Sequence, residues 1–284
     1  MSHLYNLIFG QPQDPTIESL KRHVASQQGA YSYILLIAGN PGVGKSFIAN
    51  SLGANFMSDF STDGAGITRV LQYGDVSIDN QPVLVLDVPG LFEGTLATTR
   101  RNAKEITKAL QIGKITEIPL KIGIVIEDKN GRIDEKDRLL IEKIHKALSP
   151  SPEFLLIFNQ VKQRNKEKYT LLYIERVVNI FGANTGVGVD KARTIVIEDY
   201  NNDESDMGSL IVMLRRVNAI RVQSVTDITV TENEYKSYSK ALIEHFSVAV
   251  AYGLAMAGTR AAPAKAAASI VLTASYMVYK SMNR

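Results

Sequence analysis

The chain has no cysteine and no tryptophan among its 284 residues. Without cysteine there is no disulfide framework, no thiolate-metal site and no cysteine nucleophile. Histidine is scarce: four are scattered along the chain and show no metal-ligand spacing. A strong charge of one sign is also missing. The formal net charge is +3, which demands no nucleic acid and is compatible with mild attraction to an acidic surface. No uninterrupted apolar run reaches the roughly 20 residues of a membrane-spanning helix. The stretch Met1-Ser2-His3 lacks the basic start and apolar run of a secretory signal, and also the glycine that myristoylation needs, so a cytoplasmic setting is expected. The length suits one α/β domain of ordinary size plus an extension.

Glycine is plentiful, with 20 in the chain. Its most informative use is Gly39–Ser46, reading GNPGVGKS, between the apolar run Tyr33–Ala38 and the helix-forming Phe47–Leu52. Strand, glycine-rich turn and helix in that order make a phosphate-binding loop. Its backbone N–H groups converge on phosphate oxygens, Lys45 adds charge near the β- and γ-phosphates, and the Ser46 hydroxyl can hold Mg2+. Gly39, Asn40, Pro41, Gly42, Val43, Gly44, Lys45, Ser46 and Phe47 are therefore read as nucleotide-binding positions. An ordinary turn with a solvated lysine would not explain why Lys45 and Ser46 follow the glycines at this offset.

Strand and helix patterns alternate along the rest of the chain. Thr16–Gln27 predicts a helix on the domain's flank, and Phe56–Ile67 a loop rich in small and polar residues. Arg69–Val76 and Gln81–Asp87, with Asp79-Asn80 between them, predict a hairpin. Helices are expected over Thr98–Gln111, Asp134–Leu148, Lys166–Phe181 and Met207–Val222. Strands are expected over Lys121–Ile126, Phe154–Phe158 and Thr194–Ile197. The alternation implies an α/β fold, a mostly parallel sheet with helices on both faces and one antiparallel edge strand.

Two more elements bear on the phosphates. Asp87-Val88-Pro89-Gly90 ends a buried strand, where open α/β sheets place their ligands. Asp87 there can support Mg2+ through water, and the Gly90 N–H can meet a γ-phosphate. Thr68, in Gly64-Ala65-Gly66-Ile67-Thr68, leaves a flexible loop and suits a switch that closes on the metal. Ser46, Thr68 and Asp87 are the metal candidates; Lys45, Thr68 and Gly90 are the candidates for catalysis. This order of motifs resembles the translation-factor-class GTPases and, within them, the septin-like branch that holds the AIG/GIMAP proteins. Asn102–Leu110 (NAKEITKAL), Gly131-Arg132-Ile133 and Phe158-Asn159 share that likeness, which covers about Ile34 to Phe181. It implies a GTPase-like three-layer sandwich, GTP and GDP as ligands with Mg2+, and a homodimer or oligomer formed through the nucleotide face.

The sequence departs from that pattern in two places. After the strand Phe154–Phe158 the base-reading motif should be Asn/Thr-Lys-x-Asp, but the chain reads Asn159-Gln160-Val161-Lys162. Asn159 can still face a purine, whereas Lys162 replaces the carboxylate that takes both guanine N–H groups. Leu91 stands where a water-orienting glutamine follows the glycine. A nucleotide-dependent switch or assembly factor with slow GTP hydrolysis is expected. An ATPase or relaxed-specificity NTPase is the alternative that Lys162 raises, and a non-hydrolysing scaffold the one that Leu91 raises. Arg100 and Arg101 read as solvated helix-start charges, with a finger across a dimer as the alternative. The set Lys162, Arg164, Lys166 and Lys168 reads as a solvated loop, and no nucleic-acid partner is expected.

Three parts are expected: a lead-in helix within 1–29, the phosphate-loop domain over 30–222, and a helical apolar extension over 223–284. Thr231-Glu232-Asn233-Glu234 reads as a capping box that starts a helix. Residues 246–279 form two apolar arms, each about 20 Å long and so shorter than a bilayer core. They are expected to pack on the domain or on each other, to bury against another subunit, or to form a hairpin that inserts into a membrane, with the protein then peripheral to that membrane.

Overall fold

The computed structural model describes residues 15–27, 30–56, 68, 70–127, 134–185, 187, 189–198 and 207–237. The chain opens with α1 (Pro15–Ser26), followed by β1 (Tyr33–Gly39), the short helix α2 (Lys45–Ser51), β2 (Gln72–Ile78) and β3 (Gln81–Asp87). Next come α3 (Leu96–Thr116), β4 (Leu120–Glu127), α4 (Glu135–Ala147) and the two-residue β5 (Leu148–Ser149). The second half contains β6 (Phe154–Val161), α5 (Gln163–Lys166), α6 (Leu171–Thr185), a 3-10 turn at Lys191–Arg193, β7 (Thr194–Glu198), α7 (Met207–Arg216) and β8 (Ser224–Val225). Two units divide it: Met1–Glu93 with Thr99–Thr229, and Gly94–Thr98 with Val230–Arg284.

In the first unit six strands form one sheet in the order β2-β3-β1-β4-β6-β7. All neighbours are parallel except β2 and β3, whose antiparallel pairing runs from Gln72↔Asp87 to Ile78↔Gln81. Asp79 and Asn80 close that hairpin with φ of 55° and 60°, the double left-handed geometry that matches the twist of a two-residue hairpin. The expected α/β fold with one antiparallel edge strand is the fold observed.

Every residue of β1 is buried, as a central parallel strand requires. Its alternate residues Tyr33, Leu35 and Ile37 join Val83 and Val85 of β3, Val125 of β4 and Leu155 and Ile157 of β6 in one core. Ile48 and Ala49 of α2 and Leu210 and Leu214 of α7 cover that face. The pleat turns Ile34, Leu36, Leu84, Leu86 and Leu156 the other way, and these are fully buried too. Stripes on α3 (Ile106, Leu110) and α4 (Leu140, Ile144) are likewise fully buried, so the sheet is covered on both sides.

Several boundaries differ from the sequence expectation. The helix expected over Lys166–Phe181 is two helices: α5 stops at Lys166, and α6 restarts where the Thr170 hydroxyl accepts the Tyr173 N–H at 3.2 Å. The helix expected to reach Val222 ends at Arg216, because Val217 turns into the core and Ile220 pairs with Leu120 in an isolated bridge. Leu148 leaves α4 and enters β5, which pairs with β8. The strand expected to end at Phe158 runs on to Val161. The loop 57–67, the segment 128–133 and the arms within 246–279 lie outside the described residues.

In the second unit the Thr231 hydroxyl accepts the Glu234 N–H at 3.2 Å and the Glu234 carboxylate accepts the Thr231 N–H at 2.8 Å. This is a reciprocal capping box, and helix 232–237 follows it. The Tyr235 hydroxyl in this unit donates to the Gly94 carbonyl. Among the described residues no helix is long and apolar enough to cross a membrane.

Candidate functional site

The register brings the site together at the carboxyl ends of the strands. Ile37 lies opposite Asp87, Gly39 opposite Val125, and Glu127 opposite Asn159. The loop after β1 therefore sits beside the ends of β3, β4 and β6, where an open α/β sheet presents its ligand crevice.

The loop turns through Gly42 and Gly44, with φ of 81° and 86°. Gly44 precedes α2, and a Cβ on it would lie 2.3 Å from Asn159 Nδ2. The same Asn159 amide donates to the Val43 carbonyl at 2.9 Å, and Asn159 is 2% exposed. Asn159 thus braces the phosphate loop. Lys45 is buried, with its ammonium donating to the Asn40 carbonyl at 3.1 Å. Burial pushes this ammonium below the usual lysine range, while Asp87 and Glu93 favour its charged form. The Phe47 side chain is partly exposed, and the Asn40 side chain faces wholly inward.

Ser46, Thr68 and Asp87 meet. The Ser46 hydroxyl donates to Asp87 Oδ2 at 2.7 Å, the Thr68 hydroxyl donates to the same oxygen at 3.2 Å, and the two hydroxyls are 3.3 Å apart. Asp87 Oδ1 is buried with no hydrogen-bond partner. Burial pushes the Asp87 carboxyl above its ordinary range, against the pull of Lys45 and the two hydroxyls. Two hydroxyls and an orphaned carboxylate oxygen form a hard oxygen set of the kind that suits Mg2+, which binds few protein groups and keeps waters and phosphate oxygens. Among the described residues no His/Cys/Asp/Glu cluster forms another candidate metal centre.

The turn at Gly90 presses on the phosphate loop: a Cβ there would stand 2.3 Å from Pro41 Cδ. Asn102 of α3 holds this turn, its amide donating to the Gly90 carbonyl at 2.6 Å and to Glu93 Oε2 at 3.1 Å. Arg101 spends its guanidinium on Asn102 Oδ1 at 3.2 Å. Leu91 is fully buried, so no side chain at that position reaches a water in the crevice.

At the base-reading end, Asn159 and Gln160 lie within β6, and Gln160 has φ 58° at an irregularity in the pairing with β7. Lys162 is exposed and precedes α5. Glu198, the last residue of β7, forms an ion pair with Lys166. Arg164, Lys166 and Lys168 are exposed, as a solvated loop would be.

Sequence reasoning missed Asn102, Glu93 and Asp137, whose buried polar side chains shape the site. Asn102 falls on the buried side of an amphipathic helix, which is a signal of a bonded polar group. Asp137 lies in the first turn of a helix, where an acid is ordinary, so its position in the sequence carries no signal.

Residues 34–160 match the family model described as 50S ribosome-binding GTPase. GTPase Der of Coxiella burnetii (strain CbuG_Q212) is 26% identical over 194 residues, spanning 65% of this chain and 41% of Der. The tRNA modification GTPase MnmE of Neisseria meningitidis serogroup B is 25% identical over 199 residues, spanning 69% of this chain and 42% of MnmE. This chain covers about two fifths of the length of these curated relatives. A structure of Aquifex aeolicus Era bound to GDP and AlF4− aligns at 15% identity and a TM-score of 0.44, over 76% of this chain and 67% of Era. A likeness that slight carries no argument; the fold rests on the sheet order above. Over the matched residues, 34–160, the chain is similar to phosphate-loop GTPase domains, a likeness carried by the family model and by relatives 25–26% identical.

Proposed function

We propose that the chain is a Mg2+-dependent GTP-binding switch or assembly factor that hydrolyses GTP slowly. The observation that carries this reading is the meeting of Ser46, Thr68 and Asp87 around an unpartnered carboxylate oxygen. Ser46 belongs to the phosphate loop and Thr68 to the end of the loop expected to act as a switch. A bound Mg2+ would neutralise phosphate charge there, with Ser46 and Thr68 as ligands and Asp87 as support. Lys45 and the loop amides bind the phosphates, and the Gly90 N–H responds to the γ-phosphate. Slow turnover follows from Leu91, which cannot orient a water.

Fluorescent GTP and ATP analogues titrated against wild type and Lys45→Ala, with Mg2+ or EDTA, test this reading. Tight, Mg2+-dependent GTP binding lost in Lys45→Ala is expected. ATP binding as tight as GTP defeats the guanine assignment and favours a relaxed-specificity NTPase. The observation behind that second reading is Lys162 in place of the aspartate, with Glu198 already paired to Lys166. Single-turnover hydrolysis over a protein-concentration series separates a slow GTPase from a non-hydrolysing scaffold, which would show no turnover at any concentration.

The septin-like, AIG/GIMAP-type branch, dimerisation through the nucleotide face and a cytoplasmic location belong to the same proposal, as does peripheral membrane contact through 246–279. Their support is the motif resemblance and the apolar composition of that segment. Vesicle flotation with and without residues 225–284 tests the membrane contact, and unchanged behaviour would sink it.

A further inference from the structure

We propose that Asp137, in the first turn of α4, is a positioning residue of the phosphate site. It acts through Asn40 to fix the spacing between the phosphate loop and the Gly90 turn, and so the preference for a nucleotide that carries a γ-phosphate. The proposal rests on the nucleotide-binding reading above.

Asn40 is fully buried and makes three connections. Its carbonyl accepts the Lys45 ammonium at 3.1 Å. Its Oδ1 accepts the Phe92 N–H at 3.4 Å, two residues beyond Gly90. Its Nδ2 donates to Asp137 Oδ1 at 2.7 Å, and Asp137 is 3% exposed. One residue thus makes all three ties: its backbone carbonyl holds the phosphate lysine, and its side-chain amide joins the segment behind Gly90 to a carboxylate on a separate helix. A buried bond to a charged acceptor is among the stronger hydrogen bonds, and it fixes which way the amide points. If the amide turned over, its NH2 would face the Phe92 N–H, and that contact would be lost.

The turn has little slack. A Cβ on Gly90 would overlap Pro41, and Leu91 and Phe92 are buried behind it. Asn102 grips the Gly90 carbonyl from α3, and Asn40 grips the Phe92 N–H from the phosphate loop. Asp137 anchors the second grip. The first turn of α4 also acts on the Lys45 ammonium directly, Asp137 favouring its charge and Lys136 opposing it. Gly90 addresses the γ-phosphate, while the loop amides serve a diphosphate as well. Loosening the Asn40 grip should therefore cost a triphosphate more than a diphosphate.

The test uses the full chain. Fluorescent GDP is displaced by GDP or by a non-hydrolysable GTP analogue, with Mg2+, in wild type, Asp137→Ala, Asp137→Asn and Asn40→Ala. Asp137→Ala is expected to lower the ratio of GTP-analogue to GDP affinity about tenfold, equivalent to roughly 1.4 kcal/mol, with GDP affinity changed less than about threefold. Asp137→Asn keeps an acceptor for Asn40 and is expected to restore the ratio to within about threefold of wild type. Asn40→Ala is expected to show the same loss, and decides the matter if Asp137→Ala does not fold. Equal weakening of both nucleotides, or an Asp137→Asn ratio as poor as that of Asp137→Ala, overturns the proposal and leaves the nucleotide reading intact. Wild type that binds neither nucleotide overturns both.

Discussion

Gly44 shows how a single missing methyl shapes the site. Its φ of 86° is strained for any residue with a Cβ, and that atom would fall 2.3 Å from the amide of Asn159. Gly44→Ala should therefore twist the phosphate loop and displace Asn159 together. The expected outcome is loss of fluorescent-nucleotide binding with the far-ultraviolet circular dichroism unchanged. Asn102 is the opposite case, a buried polar side chain whose value lies in its bonds. Asn102→Ala strands the Gly90 carbonyl, at roughly 1–3 kcal/mol, and takes one hydrogen bond from the Glu93 carboxylate. A drop of that order in urea-unfolding stability is expected, and a drop near zero would mean that water takes the place of the amide. The strand, glycine turn and helix around Gly39–Ser46 were legible because such a turn leaves its mark in eight consecutive positions. Asn102 and Asp137 were not, because their meaning depends on partners brought in from distant parts of the chain.

Among the elements, α1 is fastened to the hairpin through a small polar cluster. Tyr31 donates its hydroxyl to Asp75 Oδ1 at 2.5 Å, and His23 Nε2 lies 2.9 Å from the same oxygen. The His23 ring also stacks obliquely on Tyr73, with centroids 5.1 Å apart. Burial works to raise the Asp75 carboxyl, but the bonds from Tyr31 and His23 outweigh it and hold its pKa below the ordinary 3.8. A carboxyl depressed on folding contributes stability above its unfolded pKa, and that contribution fades as pH falls through the lower folded value. The stability difference between wild type and Asp75→Asn should thus shrink as pH falls below about 4. A difference that keeps growing below that pH would exclude the carboxylate as the anchor. Element types were legible from periodicity, but their ends were less so. Nothing in the apolar spacing of Lys166–Phe181 marks the break, which the Thr170 side chain makes by capping the next turn. Nor does the pattern before Val222 show that Ile220 leaves the helix to pair with Leu120.

For the molecule as a whole, the sheet order could be inferred in class but not in detail. Alternating strands and helices announce a parallel sheet, while the placing of β1 between β3 and β4 depends on long-range packing. That placing also bears on how the chain assembles. The β2–β3 hairpin needs only its own two-residue turn, so it can form early. β1 has no such neighbour: its partners are Val83–Asp87 and Leu120–Val125, drawn from far along the chain. Loop closure must precede any reward from those pairings, which makes them late and slow. The phosphate loop hangs from the end of β1 and is braced by Asn159 of β6, so the cradle takes shape only after most of the sheet exists. In refolding from denaturant, capture of a fluorescent nucleotide is expected to appear with the slowest phase, after most of the circular dichroism has returned. Capture in the earliest phase would show that the loop forms ahead of its sheet. A nascent chain would then be blind to nucleotide until β6 has emerged, and a bound nucleotide could reward completed folding but could not guide its first steps.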